Sequence, residues 1–387
     1  MSKNRHYFDW AAAAPPRGTT DEFDETLLFG NPSSLYTEGR AARSTLEDSR
    51  RRCAAALGVN TDEIYFTSGA TESNAIVLFS TLCRHTDGIP QAVLTSRAEH
   101  PSIIQNCVSL TRAGVPAYYI DVDRNGGTGQ DSLEKALRGH PDITMLALMH
   151  VNNETGAVSN LRELVKTARQ NKKTLHIHSD MSQALGKLPL SLHDFDIDSA
   201  SFSAHKIGGP RGIGILYLRG PLRTLYKGGG QEHGIRPGTE NTAGAFRFAR
   251  VLETLTPSIR KNYTDAAKKM SYLINSLSAI DRCTILPECR TAETPDISEA
   301  KFSPYILLAA FEKIPGEVMV RALDDEGFAV STGSACSGKA KNHETLKSMG
   351  ISDDLASTSI RISIGWNTNT DDINALIETI HRILKQI

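Results

Sequence analysis

The sequence predicts an α/β protein, a mostly parallel sheet covered by helices, followed by a smaller α+β unit. Three observations carry this. From residue 63 onward, short apolar runs alternate with helix-length stretches, the pattern of strands buried on both faces and joined by crossovers. After Pro295 the texture changes, with fewer strands set between helices. A length of 387 residues exceeds what one hydrophobic core usually serves, which points to two domains.

The elements follow in order. Asp9 to Pro16 is a short entry segment closed by two prolines, and Phe29 to Ser34 is a turn, because Gly, Asn-Pro and Ser favour irregular backbone. Gly39 to Leu57 is rich in good helix formers and is stopped by Gly58. Its Arg50-Arg51-Arg52 triplet reads as a solvated face, with no aromatic or further basic cluster beside it. Strands are predicted at 63–67, 91–96, 117–121, 144–151, 174–180 and 212–218, and a run of small residues ends in a strand at Ser203. Helices are predicted through 76–79, over 102–110, near 131–137 and over 161–168, and Ala243 opens a long helical region toward residue 280. Beyond Pro295, strands at 305–311 and 359–364 alternate with helices near Val318 and Asp371.

Composition narrows the function. Hydrophobic residues at 40% and charged residues at 22% describe an ordinary globular protein. With 43 basic against 44 acidic residues, bulk charge argues against a nucleic-acid or membrane-surface role. No apolar run approaches the roughly 18 residues of a membrane span, and Met1 to Trp10 lacks the apolar centre of a signal peptide, so a cytoplasmic protein is expected. Six cysteines without a Cys-x-x-Cys pair argue against a disulfide framework or zinc site. Cys53, Cys83 and Cys107 fall in helix-like stretches, where a thiol acts as a small hydrophobe.

In an open α/β sheet, ligands bind beyond the carboxyl ends of the strands, and the residues with chemistry to offer collect there. Lys206, in Ser203-Ala-His-Lys206, follows one strand, and Asp180 ends another. An amine can form a Schiff base with an aldehyde and a carboxylate can hold a pyridine nitrogen protonated, which is what pyridoxal phosphate (PLP) chemistry needs. Either residue alone has a plainer reading, a solvated lysine or a helix-capping aspartate. The pair gains weight from Ser203, His205 and Gln183 beside it, and from the loop Ser68 to Asn74. There the free N–H groups, Ala70 included, and the Thr71 hydroxyl can hold a phosphate at a helix start, although capping by Thr71 or Ser73 accounts for that loop as well. His100 follows a strand in the same way and can stack on a planar cofactor, and Asn153 sits at the same rim.

His176, His178 and Asp180 alternate onto one strand face. No fourth ligand has metal spacing, so a buried, hydrogen-bonded His pair is expected and no metal. Gly228 to Asn241 is either a flexible loop or, with Arg236 and Thr239, backbone closely approaching an anion. Cys336 stands among Ser, Gly and Ala with no large apolar neighbour to bury it, which points to a reactive, mobile thiol. Arg361 is a charge in an apolar strand and calls for a carboxylate partner, from the protein or from a substrate.

Taken as a set, Thr67 to Asn74, His150 to Gly156, His178 to Gln183, Ser203 to Lys206, Gly238 to Asn241 and Gly333 to Cys336 resemble the motifs of NifS/IscS-type cysteine desulfurases. These are fold-type I PLP enzymes of the class V aminotransferase family, and the resemblance covers nearly the whole chain. It implies a large PLP-binding domain with a mostly parallel seven-stranded sheet over residues 14–255. A small α+β domain, from 1–13 and 256–387, would carry the Cys336 loop and Arg361. Residue by residue, it implies that Lys206 holds PLP as a Schiff base, Asp180 pairs with the pyridinium, His100 stacks on the ring and Gln183 bonds the phenolic oxygen. Ala70, Thr71, Ser203 and His205 would hold the phosphate, joined by Thr239 from the other subunit of a homodimer. Asn153 and Arg361 would bind the carboxylate of L-cysteine. Cys336 would take the sulfur as a persulfide, leaving L-alanine, and pass it to an acceptor protein such as an iron–sulfur scaffold or sulfur carrier.

Within the same fold the alternatives are a selenocysteine lyase, another PLP lyase or transaminase, and a non-enzymatic scaffold; an essential Cys336 argues against a transaminase. Three departures from the family pattern stand out. The segment from Asp9 lacks the usual threonines, and Tyr36 replaces a common His at the active-site entrance. The chain also ends at Ile387 without the tail that IscS-type members extend toward a scaffold.

Overall fold

In a computed structural model of the chain, the described residues are 5–17, 29–85, 88, 90–293, 296–333 and 344–386. The elements are, in order, β1 (His6–Tyr7), α1 (Thr37–Leu57), β2 (Ile64–Thr67), α2 (Ala70–His85), β3 (Ala92–Ser96), α3 (Pro101–Arg112), β4 (Ala117–Ile120), α4 (Gln130–Gly139), β5 (Ile143–Met149), α5 (Leu161–Asn171), β6 (His176–Asp180), β7 (Ser199–Ser203) and β8 (Gly214–Leu218). Then come α6 (Thr242–Leu255), α7 (Ile259–Ser278), β9 (Cys283–Leu286), β10 (Ile306–Phe311), α8 (Gly316–Asp325), β11 (Phe328–Ala329), α9 (Glu344–Ser348), α10 (Asp353–Ser357), β12 (Ser359–Ser363) and α11 (Thr370–Gln386).

Seven strands form one sheet in the order β2-β8-β7-β6-β5-β3-β4. Side chains alternate across its plane, as the two-residue period of a strand requires. Leu94, Leu146, Leu148 and Ile215 enter a core shared with α1, α4, α5 and α6. Their neighbours Val93, Met145, Ala147 and Leu216 enter the opposite core, under α2 and α3. Burying each such Leu or Ile is worth about 1.5–3 kcal/mol, so the strands read as continuous apolar runs. Helix α1 ends where Gly58 adopts φ +68°, its N–H returning to the carbonyls of Ala54 and Ala55.

Strands β7, β6, β5, β3 and β4 run parallel, while β8 is antiparallel to both β7 and β2. The reason is the link: residues 204–213 are too few for the crossover that a parallel neighbour needs. A second sheet, β12-β10-β9, is antiparallel, and β1 pairs with β11. No helix among the described residues is long and apolar enough to cross a membrane.

Four details differ from the sequence reading. Helix α2 begins at Ala70, so only Ser68 and Gly69 separate it from β2. The helical region after Ala243 is interrupted by a 3-10 turn at Thr256–Ser258, where Pro257 removes a backbone donor. Strands β1, β9 and β11 were not anticipated. Arg50 is not on a wet face: it is 2% exposed and its guanidinium forms a two-point pair with Glu232, both bonds 2.7 Å.

Candidate active site

The carboxyl ends of β3, β5, β6 and β7 open onto one cavity of about 560 Å³. Its walls include Ala70, Thr71, His100, Asn153, Asp180, Gln183, Ser203, His205, Lys206 and Arg361.

Asp180 ends β6 and is buried. Its Oδ1 accepts from the Ser182 N–H (3.0 Å) and hydroxyl (2.6 Å), and its Oδ2 accepts from Asn74 Nδ2 (2.8 Å). The Asn74 amide is fully used: Nδ2 also donates to Ser102 Oγ (2.8 Å), and Oδ1 accepts from Ser201 Oγ (2.5 Å) and His178 Nε2 (2.9 Å). Burial, reinforced by His176, drives the His178 pKa well down, so the ring is neutral, with Nδ1 accepting from Ser199 Oγ. His176 Nε2 reaches the same hydroxyl at 2.8 Å. Among the described residues no group of three or more His, Cys, Asp or Glu side chains is arranged to hold a metal. The two histidines are tied into a serine–asparagine network behind Asp180.

His100 caps α3. Its Nδ1 accepts from the Ser102 N–H (3.1 Å) and lies 2.8 Å from Ser102 Oγ, which leaves the ring proton on Nε2. Burial, opposed by Asp180 and reinforced by Lys206, lowers its pKa. The path from Asp180 through Asn74 and Ser102 to His100 therefore fixes two walls of the cavity together. Beside it, Glu99 links β3 to β5 by accepting from Ser96 Oγ (2.8 Å) and the Met149 N–H (2.9 Å), and burial pushes its pKa up to about 8.

Lys206 sits in a 3-10 turn, Ala204–Ile207, closed by Gly208 at φ +80°. A Cβ there would lie 2.6 Å from Trp366 and 2.7 Å from the Pro15 carbonyl, so the turn requires glycine. Lys206 Nζ donates to the carbonyls of Ala11 (2.7 Å) and Ala12 (3.0 Å). The entry segment is stitched to the same turn, the Ala14 N–H donating to His205 O and the Arg17 N–H to Gly208 O. His205 is held neutral, its pKa lowered to about 4 by burial first and then by Lys206, Arg211 and Lys187. Ser203 Oγ accepts the Ala70 N–H at 2.8 Å, which joins the end of β7 to the start of α2. Gln183 donates from Nε2 to Ala11 O and accepts from Lys187 Nζ, both at 2.8 Å.

Arg361, on β12, finds its carboxylate in Asp9: Nη2 to Oδ1 is 2.7 Å. Nη1 donates to the Asn153 carbonyl (2.8 Å), so it is the backbone of Asn153 that Arg361 engages. The buried Nε has no partner among the described residues. Arg236, in the glycine-rich loop read as either flexible or approaching an anion, pairs with Glu72 at 3.1 Å. Thr239 is exposed and does not line this cavity of its own chain. Cys336 lies outside the described residues.

Asn74, Asp9, Ala11 and Lys187 are site residues that sequence reasoning did not single out. Asn74 alone left a signal, closing the Ser68–Asn74 motif; the others act through contacts distant in sequence.

The donor set suits PLP. Thr71, Ser203, neutral His205 and the N–H groups opening α2 surround space for an anion. A buried carboxylate, Asp180, and an amine, Lys206, stand on the walls of the same cavity.

The class-V aminotransferase family matches residues 6–376, and the chain belongs to that family, whose members depend on PLP. Within it, the chain is 33% identical over 397 residues to the cysteine desulfurase IscS of Dictyoglomus turgidum, covering 100% of this chain and 96% of the relative. It is 35% identical to a NifS/IcsS protein homolog of Lactobacillus delbrueckii subsp. bulgaricus, covering 97% and 96%. Among solved structures, a NifS-like protein superposes with a TM-score of 0.86 at 30% identity, covering 99% of this chain and 100% of the other. SspA in complex with cysteine superposes with a TM-score of 0.75 at 26% identity, covering 93% and 99%.

Proposed function

We propose that this protein is a PLP-dependent cysteine desulfurase that converts L-cysteine to L-alanine and carries the released sulfur as a persulfide on Cys336. The observation that carries the reading is the gathering of Asp180, Lys206, His100 and Arg361 around one cavity, in a chain similar to cysteine desulfurases along its whole length.

The residues divide the work. Lys206 would hold the cofactor through its amine, and the same amine would move the Cα proton of the substrate. Asp180, held by three donors, keeps the pyridine nitrogen protonated, and His100 covers the ring. Bound PLP supplies the electron sink for the bonds broken at the substrate. Thr71, Ser203 and His205 hold its phosphate, with Ala70 at the helix start, and Gln183 bonds its phenolic oxygen. Arg361 and Asn153 bind the cysteine carboxylate and so orient Cα. The Cys336 thiolate attacks the substrate sulfur: an S–S bond forms, the Cβ–S bond breaks, and its electron pair stays on carbon, which takes a proton to become the methyl of alanine.

The finer features follow the family pattern. The protein is a cytoplasmic homodimer, with Thr239 serving the other subunit's phosphate site, which fits its exposure. The large domain spans 14–255, and 1–13 with 256–387 form the small one. The persulfide passes to an acceptor protein for iron–sulfur or other sulfur-cofactor assembly.

The test uses PLP-loaded protein with L-cysteine and a reductant, measuring sulfide and alanine. Wild type should release both, and Cys336→Ser should release almost neither while still changing the cofactor's absorption on adding cysteine. Near-normal alanine from Cys336→Ser would overturn the persulfide mechanism in favour of a lyase that needs no protein thiol.

A further inference from the structure

Lys187 is a buried titratable side chain that the reaction above leaves without a role. It lies between β6 and β7, 9% exposed, and among the described residues no carboxylate pairs with it. Its Nζ donates to Gln183 Oε1 at 2.8 Å, and the same amide donates from Nε2 to Ala11 O at 2.8 Å. A protonated lysine nitrogen only donates and a carbonyl only accepts. Both neighbours therefore demand one orientation of the Gln183 amide: oxygen toward Lys187, nitrogen toward Ala11. Nε2 has two protons; Ala11 takes one, and the second is left for the cavity that Gln183 lines. A flipped amide would turn a lone pair there instead.

We propose that Lys187 is a positioning residue, fixing the Gln183 amide so that an N–H faces the phenolic oxygen of bound PLP. The inference rests on the cofactor placement proposed above. Lys187 does not line the large cavity; with Lys206 and Arg17 it lines a smaller neighbouring one of about 50 Å³. Its hydrogen-bonded route to the cofactor therefore runs through Gln183.

A double-mutant cycle tests this, reading the absorption maximum of the lysine-bound cofactor, the PLP dissociation constant of the apoprotein and the apoprotein's thermal midpoint. Lys187→Met should raise the PLP dissociation constant about two- to tenfold, the effect of one hydrogen bond. It should move the absorption maximum in the same direction as Gln183→Ala. The thermal midpoint should change little, because relief of a buried amine offsets the Gln183 oxygen left without its donor. Added to Gln183→Ala, Lys187→Met should change neither PLP readout further. Lys187→Leu carries the same cycle if the Met variant does not fold. An undiminished effect in the Gln183→Ala background, or none in the wild-type background, would overturn the proposal alone. Gln183→Ala without effect on either PLP readout would overturn the cofactor placement, and the proposal with it.

Discussion

Arg361 is 3% exposed, and a cation that deeply buried is tolerable only where its charge is compensated. Asp9, itself partly exposed, supplies the compensation through one 2.7 Å bond. Asp9→Asn keeps an oxygen to accept that bond but removes the charge. It should lower the unfolding free energy by about 1–3 kcal/mol, the difference a charged partner makes. Urea unfolding of the apoprotein measures this directly, and a midpoint equal to wild type would mean that the carbonyls around Arg361 suffice. At this scale the sequence was most legible where chemistry and position coincide. Lys206, Asp180 and His100 are unusual residue types at or just beyond the ends of strands, and the strands themselves were readable. Asp9 was not legible, because its significance lies in a contact spanning almost the whole chain. Ala11 was not either, because it acts through its carbonyl, which every residue has.

Strand β2 is an edge of the large sheet, and its backbone needs partners on the open side. Glu232 provides one, accepting the Phe66 N–H at 2.7 Å while its carboxylate pairs with Arg50. Glu232 and His233 both stand at positive φ, +47° and +53°, a conformation that costs non-glycine residues about 1 kcal/mol or more each. The buried pair thus holds the Gly228–Asn241 loop against its own backbone preference. Glu232→Gln leaves Arg50 with Glu47, at 3.2 Å, as its remaining carboxylate partner, and should cost about 1–3 kcal/mol. Arg50→Met combined with Glu232→Met should cost less than the two single changes summed. Unfolding curves that simply add would show that the pair is not what anchors the loop. The elements of the large sheet were legible because long apolar runs leave little choice of structure. Strands β1 and β11, two residues each, are too short to carry a period. Arg50 was misread because nothing in a helix triplet tells which arginine meets a loop 182 residues away.

Across the whole molecule, residues 9–17 are the thread between the parts. Asp9 meets Arg361 on the second sheet, the Ala11 N–H donates to Ser363 Oγ, and Ala14 and Arg17 bond the turn that carries Lys206. Segments outside a core usually open at little cost in free energy. This one cannot leave without loosening the lysine turn and the strand β12 at once, so the three should open as a single cooperative unit. Hydrogen–deuterium exchange on the apoprotein would read this out: the amides of Ala14, Arg17 and Gly209, all hydrogen-bonded at this junction, should share one protection factor. Staggered rates, fastest at Ala14, would instead describe a segment that opens by itself. If the rates agree, the lysine is held by the slowest-opening part of the chain's beginning, and the reactive amine keeps its address as long as the first strand keeps its place.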